Sequence, residues 1–485
     1  MGVVVNQTIR NIIITCFGFG IGAINTLFLF TYFMDKEHYG LISYLMTASN
    51  LIWPLMAFGM QNTLVKFFTS YSNKEQQDKF LTVILITPLL VALVLGAIGI
   101  MFYTTILSFF EDKNTIVQPY VWTIYILAFA ASYFEVFFAW SKVKLKSVFG
   151  NIMKELFLRI CISILLFLVY FKILTIHQFI YALVIAYLLR TLIMKMYALG
   201  LHRFKPRFSL PDNYISVFKY SGLILIAGSV ASLLIDIDKA MIERYLPIEN
   251  LADYQLCAFI AIVISIPSRA MHQITYPLTA KLINEKAKVQ LKELYQKSSL
   301  NLLITSGLLF VLIICNVNEL YKFIPDNYNL FIWVIVLIGS AKLFDNLLGN
   351  NNSILYSSDY YRMILYVGVG MVVLTVILNM FWIPVLGITG AAIATFIAVF
   401  CYNSVKLWIV YTKFKMHPFS QKTFLTILLI VSITFGFYFW ELPFHPILNI
   451  VSKSILISLV YVFIFYTLRV STDINTLIKK IPRGA

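Results

Sequence analysis

Apolar residues run along this chain in blocks of roughly 20, separated by short polar links that alternate between rich and poor in Lys and Arg. Blocks such as 9–33, 80–103 and 117–140 have the length a helix needs to cross the hydrocarbon layer. Backbone groups facing lipid must be bonded within their own segment, which selects helices or a closed barrel. A barrel requires short strands of alternating polarity, and the run 84–95 does not alternate. The fold class expected is an all-α polytopic membrane protein with about 14 transmembrane helices. The expected spans are 9–33, 41–65, 80–103, 117–140, 149–171, 176–199, 215–236, 251–276, 299–317, 328–349, 362–382, 387–411, 423–440 and 447–468.

Composition agrees. Of 485 residues, 60% are hydrophobic and 12% charged, against about 25% charged in a soluble domain. The first run is too long for a cleavable signal peptide and is read as the first span. Cys16, Cys161, Cys257, Cys315 and Cys401 lie in or near apolar segments without metal-ligand spacing.

The basic residues fall mostly in alternate links, including Lys142, Lys144, Lys146, Lys205, Arg207, Lys281, Lys288, Lys292 and Lys413. That bias orients the chain with both termini in the cytoplasm and accounts for much of the net charge of +16 without nucleic acid. Two inner links are long. The stretch 201–214, with Pro206 and Pro211, reads as an interdomain link; the stretch 281–298 reads as an amphipathic surface helix or an extension of the eighth span. Cutting at the first link gives an N-terminal six-helix bundle over 1–206, a second six-helix bundle over 207–412, and two additional helices with a cytoplasmic tail over 413–485.

The few charges left inside spans are the candidate chemistry. At about 1.5 Å per residue, Arg159 and Arg190 lie about 15 and 14 Å from the inner ends of their helices, near the midplane. A charge there is costly unless it meets water, a counter-charge or a ligand. Two arginines on successive helices suggest a cationic cavity; the alternative is a structural ion pair with Glu155 or Glu135. Lys154, Lys195 and Lys406 lie nearer the inner surface, where their stems let the charge reach water. Later in the chain, Arg269 sits deep in a span beyond Pro267, Lys342 and Asp345 share a helix face, and Asp236 with Lys239 can pair beside Asp238. Pro54, Gly59, Pro267 and Pro384 mark places for bends, and Gly387, Gly390, Ala391, Ala392 and Ala394 suit close helix packing. No nucleotide-binding loop, HExxH or nucleophile with its base is present, so no enzymatic activity and no cofactor are expected.

The stretch Tyr39-Gly40-Leu41-Ile42-Ser43-Tyr44, then Pro54-Leu55 and 58–68, together with Asp238-Lys239 and the segment 379–395, resembles the polysaccharide exporters or O-antigen flippases of the multidrug/oligosaccharidyl-lipid/polysaccharide superfamily. The resemblance covers essentially the whole chain through span number and connectivity. It implies a flippase in the bacterial inner membrane that moves a polyprenyl-diphosphate-linked oligosaccharide by alternating access, serving O-antigen, lipopolysaccharide or other surface polysaccharide assembly. Its partners would be the lipid-linked oligosaccharide, membrane lipids, and a polysaccharide polymerase with its chain-length machinery. A diphosphate suits the guanidinium fork. Arg159, Arg190 and Arg269 are therefore the expected substrate-binding residues, with Arg10, Lys66 and Lys342 as secondary contributors, and Asp236, Asp238, Lys239 and Asp345 as an ion-pair or coupling set. A lipid II flippase is the nearest rival. A multidrug exporter is disfavoured because the first span contains no acidic residue.

Overall fold

The computed structural model describes residues 2–471 except Ser72, Glu111, Asp112, Arg203, Asp359, Glu441 and Leu442. The expected tail beyond Ser471 lies outside the described residues. All regular structure among them is helical, and two compact units divide the chain at Met1–Ala252 and Asp253–Ala485.

The first unit contains α1 (Gly2–Ile24), α2 (Phe30–Phe33), α3 (Lys36–Ala57), α4 (Met60–Phe67), α5 (Lys74–Met101), α6 (Tyr103–Ser108), α7 (Val121–Val143), α8 (Ser147–Ile152), α9 (Leu158–Tyr170), α10 (Ile176–Leu201) and α11 (Tyr214–Tyr245). A π-helical turn, Asn25–Leu29, joins α1 to α2, and a second, Met153–Phe157, joins α8 to α9. The helix starts carry their own signals. The Asp35 carboxylate accepts from the His38 backbone N–H, and Thr175 with Gln178 closes a capping box ahead of α10. Central to the unit is α7, which packs against α3 and α10. Its Phe134 and Trp140 join Phe80 and Met60 in a fully buried core.

The break expected at Pro54 and Gly59 is present. Phe58 and Gly59 adopt left-handed φ values of 50° and 68°, separating α3 from α4. Gly59 is required by proximity as well as by φ, because a Cβ there would lie 2.6 Å from the Ser221 carbonyl oxygen of α11. Beside it the Thr63 and Ser221 hydroxyls share a 2.7 Å hydrogen bond. At its far end α11 is tied again: Asn114 donates to the Glu243 carbonyl and carboxylate at 2.6 and 3.0 Å and accepts from the Ile248 N–H at 2.9 Å.

The second unit takes in most of α12 (Glu249–Ile262), then α13 (Ile266–Asn284), α14 (Lys288–Tyr321), α15 (Ile332–Leu347), α16 (Asn351–Tyr356), α17 (Tyr361–Phe414), α18 (Gln421–Tyr438) and α19 (Pro446–Thr467). Helix α14 packs on α13, α15, α18 and α19. A Cβ on its Gly307 would meet Ile430 Cδ1 at 2.3 Å, so α18 approaches closely there. The segment 281–298 is not a separate surface helix: residues 281–284 end α13, which extends the eighth span, and the rest from Lys288 belongs to α14. The chain turns at Lys286, with φ 55°, and Lys288 opens the 34-residue α14.

Eleven helices among the described residues are long and apolar enough to cross a membrane. The difference from the expected count of about 14 has identifiable sources. Around 149–171 the helix is interrupted by the π turn and carries Lys154, Glu155 and Arg159. At 328–349 the helix α15 has only 16 residues. The segments 362–382 and 387–411 run together as α17, whose 54 residues would measure about 80 Å if straight. Gly387, at φ 59° and ψ −140°, breaks that run. Just beyond it a Cβ on Gly390 would lie 2.1 Å from the Trp382 carbonyl oxygen, so the two halves close on each other through the expected small residues.

Candidate substrate cavity

A cavity of about 370 Å³ lies within the first unit. Asn50 and Trp53 of α3, Glu135 of α7, Lys154 and Glu155 of the second π turn, Arg159 of α9, and Tyr187 and Arg190 of α10 form its polar and aromatic lining.

Arg159 is held from several sides. Its guanidinium is 3.3 Å from the Glu155 carboxylate, one helical turn earlier. The Asn25 side chain, at the start of the first π turn, donates to the Arg159 carbonyl at 2.8 Å and accepts from the Ser163 hydroxyl at 2.6 Å. Both helical irregularities therefore meet at this arginine, and π turns recur at functional sites. Room for the guanidinium comes from glycines on α1. A Cβ at Gly18 would sit 2.5 Å from Arg159 Nη1, and one at Gly22 would sit 3.3 Å from Nε.

The other charges are distributed unevenly. Lys154 Nζ donates to Glu135 at 2.6 Å. Arg190, only 6% exposed, lies 4.0 Å from the Phe134 ring centroid and 4.9 Å from that of Tyr187. Its Nε has no hydrogen-bond partner, and among the described residues it forms no ion pair within 4.0 Å, although the Glu135 carboxylate acts on it from farther away. An uncompensated buried charge costs several kcal/mol, whereas cation–π contact returns about 2 kcal/mol when desolvated. The cavity thus has one cation more than it has carboxylates.

The other expected site residues lie elsewhere. Arg10 is exposed on α1 and Arg269 is exposed on α13. Lys66 is exposed at the end of α4, with its ammonium 3.8 Å from the Tyr220 ring centroid. Asp236 and Lys239 pair at 3.0 Å, while Asp238 accepts from the Lys239 backbone N–H at 2.8 Å. Lys342 is half-buried on α15. Asp345 pairs with Lys406 at 3.7 Å, across to α17, rather than with the same-face Lys342. Only Arg159 and Arg190 of the expected set share a cavity.

Lys154 is exposed, as its position suggested, while its ammonium bonds Glu135 on the cavity wall. Lys406, read as reaching for water, does not: it is 2% exposed with its ammonium 2.9 Å from Asn352 Oδ1. Its nearness to the inner end of its span concealed this, since Asn352 and Asp345 lie on other helices. Near Lys406, a second cavity of about 330 Å³ is lined by His272, Tyr276, Asn352, Ser353 and Tyr356.

This architecture has solved counterparts. A structure titled "Lipid II flippase MurJ, inward closed conformation" is matched at TM-score 0.74 with 16% identity, over 96% of this chain and 100% of that one. An outward-facing multidrug-resistance MATE family transporter of the MOP superfamily is matched at TM-score 0.58 and 13% identity, over 85% of this chain and 95% of the other. A Vibrio cholerae MATE transporter, VcmN, gives TM-score 0.57 and 10% identity, over 85% and 98%. None of the curated proteins matches. The shared fold and the helices fit to span a bilayer describe an all-α polytopic membrane protein. Residues 4–283 match the family described as "Polysaccharide biosynthesis protein", and the chain belongs to that family.

Proposed function

We propose that this protein is a flippase that carries a polyprenyl-diphosphate-linked oligosaccharide across the bacterial inner membrane for surface polysaccharide or O-antigen assembly. The observation that carries the reading is Arg190, buried, lining the same cavity as Arg159, and with no ion pair within 4.0 Å among the described residues. A diphosphate supplies the missing acceptors, and a guanidinium binds them through parallel N–H groups. Arg159 positions and shares that contact, while Arg10, Lys66, Arg269 and Lys342 contribute positive potential outside it. Movement is by alternating access, with about 14 spans arranged as bundles 1–206 and 207–412 plus the pair within 413–485, and with both termini in the cytoplasm. The Asp236–Lys239 pair with Asp238, and Asp345, are the candidates for coupling. A polysaccharide polymerase and its chain-length machinery receive the product.

Charge-removing substitutions Arg159→Gln and Arg190→Gln, produced at normal amounts in a deletion strain, test this. The expected result is loss of surface polysaccharide with accumulation of the lipid-linked unit on the inner leaflet. Unaffected export in both variants overturns the assignment. A lipid II flippase is the second reading, supported by the fold likeness over 96% of the chain; it requires peptidoglycan precursors, not polysaccharide units, to accumulate.

A further inference from the structure

The second unit's cavity has a different chemistry from the first. Tyr276 of α13 and Tyr356 of α16, 46% and 52% exposed, line it. His272, Asn352 and Ser353 complete the wall. Lys406 lies next to the wall with its charge already engaged, 2.9 Å from Asn352 Oδ1, 3.7 Å from Asp345 and 4.3 Å from the Tyr402 ring centroid. An ammonium only donates, so it fixes the Asn352 amide with oxygen toward Lys406 and leaves the NH2 end as a donor. The result is a nearly charge-balanced wall that carries an amide NH2, a serine hydroxyl, an imidazole and two phenols, that of Tyr356 sharing a hydrogen bond with Tyr402.

An anion gains little here, because Asp345 already answers the lysine. A neutral polyhydroxylated ring gains on both counts. Its hydroxyls each donate and accept, and its C–H-bearing face meets the negative face of a tyrosine ring. Tyrosines alone are ordinary at a membrane interface; two of them beside His, Asn and Ser in one recess, next to a buried lysine, are a binding wall. The volume lies at the small end of the ~300–1,000 Å³ range for ligand pockets. We infer that this cavity is a saccharide-binding site that takes a neutral pyranose unit of the cargo. The inference rests on the lipid-linked glycan reading above and adds that the sugar is recognised by the second unit's own side chains.

Saturation-transfer NMR on the full-length protein in detergent, with methyl glucoside, galactose and N-acetylglucosamine as probes and inorganic pyrophosphate as comparator, tests it. At least one sugar should bind, weakening about five-fold in Tyr276→Ala and in Tyr356→Ala. Tyr356→Phe, which keeps the ring, should retain most binding and controls for folding. Pyrophosphate binding should be unchanged in the tyrosine variants and lost in Arg190→Gln. Sugar binding that ignores both tyrosines, or pyrophosphate binding that depends on them, overturns the inference. Absence of sugar binding while Arg190→Gln still abolishes export overturns this site alone. Normal export by Arg190→Gln with tyrosine-dependent sugar binding overturns the diphosphate assignment and leaves the saccharide site standing.

Discussion

Around the first unit's cavity, Arg159, Arg190 and Lys154 face Glu135 and Glu155; beside the second unit's cavity, Lys406 faces Asp345 and an amide. Both units bury a cation almost completely, Arg190 at 6% and Lys406 at 2% exposure, yet among the described residues only Lys406 has a carboxylate within 4.0 Å, Glu135 acting on Arg190 from farther away. Burial alone therefore does not mark a ligand-binding charge. What separates the two is how closely the protein places a counter-charge, and so how far desolvation is offset within the fold.

The largest effect should come from Arg190. Arg190→Gln is expected to reduce transport at least about 30-fold, from the ~2–5 kcal/mol attached to truncating a buried charge that pairs with a bound anion. Lys406→Gln should leave transport within about three-fold, because its amide NH2 can still donate to Asn352 Oδ1 and the lysine itself touches no ligand. Both are read from the rate at which the inner-leaflet lipid-linked unit accumulates. Equal losses in the two variants would erase the contrast between the cavities.

Next in size is the glycine seat of Arg159. Gly18→Ala places a methyl 2.5 Å from Nη1 and 2.7 Å from the Glu155 carbonyl oxygen, so it should lower stability by about 1–3 kcal/mol and transport with it. Gly20→Ala, with nothing within 4 Å of the new Cβ, is the matched control and should change neither. Smaller still is Lys406→Met, which strands Asp345 and Asn352. Because the Asp345 side chain is 42% exposed, the cost is discounted to about 1–2 kcal/mol, read as a fall in Tm, and adding Asp345→Asn should recover part of it.

The smallest expected effect lies outside both cavities. Glu243, beyond the apolar run of α11, has its carboxyl pushed up to about 7 by burial, against hydrogen bonds from Asn114 and Tyr44 and the charge of Arg244. A carboxyl bound more tightly by its proton in the folded state contributes stability that is complete below about 4.5, its unfolded value, and is lost as pH rises through about 7. The Tm should drift down across that interval, and Glu243→Gln should flatten the drift. Persistence of the drift in the variant would place the titration elsewhere.

Much of this was legible in the residues. Period and length set the helices, and depth along each helix picked out Arg159 and Arg190, because both quantities depend only on position in the chain. The Glu155–Arg159 spacing also announced its own pair. The roles of Lys154 and Lys406 were not legible, because Glu135 and Asp345 reach them from other helices and no local pattern encodes that approach. The same applies to Gly18 and Gly22, which look like ordinary packing glycines until a guanidinium from α9 occupies the space. The breaks that divide or merge the long helices, the charged π turn at Met153–Phe157 and Gly387, were not legible as such.

The seam between α11 and its neighbours is fastened by weak links spread along its length: the Thr63–Ser221 hydroxyls, the Asn114 amide, and a Tyr71–Asn213 bond near the helix start. Each neutral link contributes about 1 kcal/mol. Such a helix can come away in instalments, with no single rupture setting the barrier, so a transport cycle that moved it would proceed as a zipper and not as a latch.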